Sequence, residues 1–116
     1  MTVRRHLQFA QNYLHSAIAE LGQLRQGAKI ETCDLIDMII GMNENMFWAS
    51  HVASRPNSSK RFSTKYYRLY EGLVPSFQRM YVEGVRDHYL NNGQINYDVL
   101  ETEFGVIDEK LMALLD

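Results

Sequence analysis

The sequence predicts an all-α protein, a small helical bundle led by a long antiparallel N-terminal helix hairpin. Three observations carry that class. Every long segment of the 116 residues repeats its apolar positions at steps of three and four, and no segment alternates over a strand length. With 46% hydrophobic residues, the chain can also fill one modest core, so a single domain over residues 1–116 is expected.

The first helix rests on Val3, Leu7, Ala10, Leu14, Ala17, Leu21 and Leu24, a narrow seam with strictly alternating steps. Thr2 is placed to cap its start and Gly27 to stop it. A second seam follows the same rule through Leu35, Ile39, Met42, Met46, Ala49 and Ala53. Ile36, Ile40 and Phe47 widen it, and Thr32 stands where a cap belongs. If the two helices fold back on each other, Leu24 faces Leu35, Leu14 faces Met46 and Leu7 faces Ala53. The position numbers of each pair then total 59 or 60.

The stretch SRPNSSKR, with Pro56 and its serines, reads as a loop. Helical spacing resumes at Ser63 or Thr64 and runs to about Leu90, ending at NNG. Pro75 interrupts it. Proline removes a backbone donor and disfavours helical angles at Val74, so the third helix should be kinked or broken there. The remainder reads as two short C-terminal helices, with Asp98 and Asp108 as caps and Gly105 as the break.

Composition excludes several function classes. A net charge of −2 with 22% charged residues is far from the make-up of a disordered chain. The single cysteine, Cys33, permits no internal disulfide and suits a reducing compartment, so a cytoplasmic location is expected. Its acidic neighbours Glu31 and Asp34 argue against an activated thiolate. The longest apolar run is far too short to span a membrane, and the N-terminus is too polar for a signal peptide.

The four histidines form no i, i+4 pair, and no phosphate-binding loop, nucleophile elbow or Glu-x-x-His motif is present. No catalytic residue, metal ligand or cofactor is therefore assigned, and the chain is read as non-enzymatic. Met38, Met42 and Met46 form a stripe one turn apart, of which Met42 and Met46 already belong to the core seam.

Charge is unevenly spread. Asp98 to Asp116 carries six acids against Lys110, while Arg55 to Gly72 carries Arg55, Lys60, Arg61, Lys65 and Arg68 with no acid before Glu71. Phe62, Tyr66, Tyr67 and Tyr70 interleave with those bases, a mixture that can hold a nucleic-acid backbone. With a helix starting near Thr64, however, the tyrosines turn mostly inward, which leaves a basic face without a stacking platform. Arg4 and Arg5 could extend that patch, and the acidic tail could satisfy it internally.

The expected function is a small regulatory or adaptor protein, an inhibitor or assembly subunit, that binds another protein. Its size and lack of motifs would suit an accessory protein carried by a phage or mobile element. The expected contacts are Arg55, Lys60, Arg61, Lys65 and Arg68, together with Trp48, which falls off the core seam. The alternative is a nucleic-acid-binding helical subunit using Arg55 to Arg68. A homo-oligomer is also expected from the apolar residues that widen the stripes, among them Phe9, Tyr13, Ile18 and Phe47. Replacing Leu21 with Asp would bury an unpaired charge in the first seam and should abolish soluble folding, read as loss of helical circular dichroism in the soluble fraction.

Overall fold

A computed structural model describes the backbone of residues 2–27, 32–53 and 60–115. It describes the side chains of these residues except at 32, 33, 50, 53, 60–67, 69 and 70. The elements are α1 (Val3–Arg25), α2 (Thr32–Ala53), α3 (Lys60–Arg79), a π-helical segment (Met80–Val85), α4 (Arg86–Asn91) and α5 (Tyr97–Leu115). The described residues contain no strand.

Helix α1 begins and ends where local chemistry predicts. Thr2 is extended, and its hydroxyl accepts a 3.1 Å bond from the Arg5 amide, satisfying one of the orphan donors of the first turn. At the other end Gly27 takes a φ of 86°, and its amide returns to the Leu24 carbonyl. Val3, Leu7, Ala10, Leu14, Ala17 and Leu21 are all buried, as the seam requires.

Helices α1 and α2 form the hairpin, but in a different register from the one that seam matching suggests. His6 meets Asn45 at 3.4 Å, and the Tyr13 ring comes within 2.7 Å of where a Cβ on Gly41 would stand. These pairs total 51 and 54, centred about one seven-residue repeat below the expected 59 or 60. Sliding one helix by a heptad preserves which faces meet, so phase alone cannot distinguish the two registers. One result is that Leu24, which had been paired with Leu35, is left only partly buried at the core margin.

The break that Pro75 could have made is absent. Helix α3 runs through Pro75 and widens five residues later into the π-helical segment. Loss of one helix bond at an exposed proline costs about 3 kcal/mol, whereas burying Leu73 and Met80 on the same stripe returns about 1.5–3 kcal/mol each. The wider turn brings Met80, Gly84 and Val85 to the core together. It also aims the Gly84 carbonyl at the Asn96 amide, 2.9 Å away. The third helix starts earlier than predicted as well, which places Lys60 and Arg61 on α3 and not in a loop.

Two short C-terminal helices were expected, and the structure has one. Helix α5 continues through Gly105 because Leu100, Phe104, Ile107 and Leu111 form one unbroken buried stripe that outweighs about 1 kcal/mol for a mid-helix glycine. Its cap is Asn96, whose side-chain oxygen accepts from the Val99 amide, while Asp98 and Asp108 lie inside the helix.

Helix α5 runs antiparallel to both α1 and α3. Against α1 it pairs Arg25 with Asp98 and Glu101, His15 with Asp108, and Arg4 with the Leu115 carbonyl. Against α3 it pairs Glu103 with Arg79 and Lys110 with the Gly72 carbonyl, both totalling 182. The result is an up-down-up-down bundle of 46 × 23 × 21 Å. On the α3–α5 register, Leu115 is level with position 67, so residues 60–66 of α3 extend beyond the end of α5 by roughly 10 Å.

Three glycines test this packing. At Gly84 a Cβ would meet Leu100 Cδ2 at 2.9 Å, and Leu100 is fully buried, so Gly84→Ala should cost about 1–3 kcal/mol in chemical denaturation. At Gly22 and Gly105 a Cβ would meet nothing within 4 Å, so Ala at either position should raise stability by about 0.5–1 kcal/mol.

Candidate interaction surfaces

Trp48 sits on the side of α2 away from the core, 49% exposed, beside Phe47 at 57%. Its ring stands edge-on to Phe47 at 5.7 Å and edge-on to His51 at 5.7 Å, forming a three-ring cluster on one helix. The core side of the same helix carries Leu35, Ile39, Met42, Met46 and Ala49, all buried. Helix α2 packs on α1 and on α3, yet Phe47 and Trp48 remain exposed. Met38 packs against the core with Met42 and Met46, so the methionine stripe belongs to the interior.

Helix α2 also has a one-sided charge. It carries Asp34, Asp37 and Glu44 and contains no lysine or arginine. A further apolar groove, missed by sequence reasoning, opens along its flank against α3, the π-helical segment and α4. Ile36, Ile40 and Asn43 form one wall and Phe77, Tyr81 and Tyr89 the other, around about 260 Å³. Sequence spacing does not mark it, because the groove depends on the wide turn of the π-helical segment lying beside α2.

The predicted basic site is only partly visible. Arg55 lies outside the described residues, and so do the side chains of Lys60, Arg61 and Lys65, whose backbone is helical. Arg68 is exposed on α3. Together Lys60, Arg61 and Lys65 ride on the part of α3 that extends beyond α5, on the same helix as Arg68. Trp48 belongs to α2, the helix next along the bundle.

Arg4 and Arg5 are otherwise engaged. The Arg4 guanidinium donates a 2.8 Å bond to the Leu115 carbonyl at the C-terminus of α5, where a cation offsets the negative end of the helix dipole. Arg5 lies over the Phe9 ring at 5.7 Å. Of the acids of α5, Asp98 and Glu101 meet Arg25 and Asp108 meets His15 of α1, while Glu103 meets Arg79 of α3. Glu103 is buried, and its carboxylate takes a 3.0 Å bond from Arg79, which also reaches Glu83 at 2.7 Å. The bond to Glu83, and then that to Glu103, push the Arg79 guanidinium above its already high ordinary range.

Among the described residues no group of three or more histidines, cysteines, aspartates and glutamates is placed to hold a metal ion, and no helix is long and apolar enough to cross a membrane. Compared with family models, curated proteins and solved structures, the chain matches none. The exposure of Trp48 has a direct readout. In the isolated protein its fluorescence should be quenched efficiently by acrylamide, and a blue-shifted, protected emission would mean that the α2 face is covered.

Proposed function

We propose that this chain is a small non-enzymatic regulatory or adaptor protein that works by binding another protein, as an inhibitor or an assembly subunit. The observation that carries this reading is α2, which keeps Phe47 and Trp48 in solvent on a helix whose opposite face is already fully used in the core. Exposed aromatics of this kind supply large contact area at low conformational cost and serve as anchors in protein interfaces. The basic run on the projecting part of α3 supplies a second contact that steers an acidic partner and fixes its orientation.

One structural feature favours nucleic acid as a second reading. Because α3 starts at Lys60, the bases at 60, 61, 65 and 68 share a single helix that reaches past the end of α5. A helix of that kind can neutralise successive phosphates, and binding would then fall steeply with salt as counterions are released.

Reversing Lys60 and Arg61 to Glu separates the two readings. An acidic protein partner should be lost by the double variant while the wild type shifts no oligonucleotide at physiological salt. A salt-dependent gel shift that the reversal abolishes would select nucleic acid. Trp48→Ala should weaken a protein partner by about tenfold or more with little change in melting temperature. A partner indifferent to all three changes would sink the reading.

A further inference from the structure

Helix α4 is tied to the core by none of its side chains. No residue from Arg86 to Asn91 is buried, and all but His88 are exposed. A segment with so little apolar burial opens at low free-energy cost. Its C-terminal end is closed by one turn. Asn92 takes the left-handed conformation, with φ 54° and ψ 27°, and its amide donates to the His88 carbonyl at 3.1 Å. The Gly93 amide donates to the Asp87 carbonyl at 3.1 Å, and His88 Nδ1 donates to the Gly93 carbonyl at 2.7 Å.

This turn selects its own sequence. A Cβ on residue 93 would stand 1.8 Å from Asp87 Oδ2, so position 93 requires glycine. Position 92 requires a residue that tolerates a positive φ, and asparagine is foremost among the non-glycine residues that do. Asn92 is exposed, and it is the one asparagine of the chain that precedes a glycine.

An Asn-Gly pair is chemically labile, because no side chain on the glycine shields its backbone nitrogen. The Gly93 nitrogen attacks Cγ of Asn92, the new N–Cγ bond forms as the Gly93 proton passes to water, and the bond from Cγ to Nδ2 breaks to release ammonia. Water then opens the cyclic imide at either carbonyl, leaving aspartate or isoaspartate at position 92. The sum is hydrolysis of one amide to one acid and ammonia, with nothing oxidised or reduced. While the Gly93 N–H is held by the Asp87 carbonyl the nitrogen is not free to attack, so reaction follows opening of the turn.

We propose that Asn92 is a self-modification site, converted by the Gly93 nitrogen when α4 opens, and that the conversion unlatches α4. The new carboxylate stands at the C-terminal end of the helix, where the dipole disfavours an anion, and close to the Asp87 carboxylate that lies against Gly93. Isoaspartate also adds a carbon to the main chain, so the bonds to the His88 and Asp87 carbonyls no longer close together. Tyr89, part of one wall of the groove beside α2, is released with the helix.

The purified full chain, kept folded in mildly alkaline buffer at body temperature and sampled over weeks, tests the proposal by ion exchange, peptide mapping and isoaspartate-specific methyl transfer. An acidic species that maps to position 92 is expected, with faster hydrogen exchange at the α4 amides than in fresh protein. Asn92→Gly keeps the left-handed turn without the reactive side chain and should not form it. His88→Phe removes one bond of the turn at similar helix propensity, and should speed conversion about two- to tenfold in the folded protein. In denaturant, where the turn is already open, it should change nothing. Folded wild type that keeps Asn92 intact while the denatured chain converts overturns the proposal. So does an acidic species that maps only to Asn57 or another asparagine, and conversion at position 92 with unchanged α4 exchange overturns the unlatching. A folded-state rate that ignores His88→Phe overturns the dependence on opening.

Discussion

Leu100, Phe104, Ile107 and Leu111 lie along a single stripe of α5, and at most 1% of each remains exposed, although α1 and α3, the helices that cover them, come from distant parts of the chain. The rest of the bundle depends on that insertion. An isolated α1–α2 hairpin buries one seam and leaves the flank of each helix wet, as any two-helix unit must. Docking α5 between α1 and α3 converts the hairpin into a closed layer, and the entropic cost of ordering the chain is offset mainly by this apolar burial. The charged contacts along α5 set its orientation. Glu103 is buried and costly to desolvate unless Arg79 accompanies it, so a helix inserted in the wrong direction would strand that carboxylate.

The same spread of polar contacts sets both the orientation and the register of α5. Arg25 with Asp98, His15 with Asp108 and Arg4 with the Leu115 carbonyl are spread along the length of α5 and hold it antiparallel to α1. Most of these side chains are partly exposed, and each contact contributes little by itself. Their joint effect is specificity, because reversing or sliding the helix mismatches them together. Asp98, Glu101, Glu103 and Asp108 of α5 thereby each meet a partner on α1 or α3.

The surfaces left over differ in character. Trp48 and Phe47 project from a helix whose core side is fully used. The π-segment groove has aromatic walls, and the basic end of α3 reaches past α5. The first two keep apolar groups in water at a free-energy cost. That cost is physically reasonable where the surface meets something, which is the basis for reading the protein as a binding module with more than one contact.

What the sequence by itself determined is whatever depends on neighbours within one or two turns. Thr2 and Gly27 bound α1 because capping is a local exchange of hydrogen bonds, and the seams of α1 and α2 identify their buried faces because helical periodicity is intrinsic. Only the tertiary structure decided the hairpin register, since a heptad slide leaves the phase of both seams unchanged. It also decided that Pro75 and Gly105 would not interrupt their helices, because a local penalty of a few kcal/mol is outweighed by burial against helices far away in the chain. The site divides along the same line. Trp48 was legible because it falls off a seam, whereas the groove of Ile40, Tyr81 and Tyr89 was not, since it exists only where α2 and a π-helical turn come side by side.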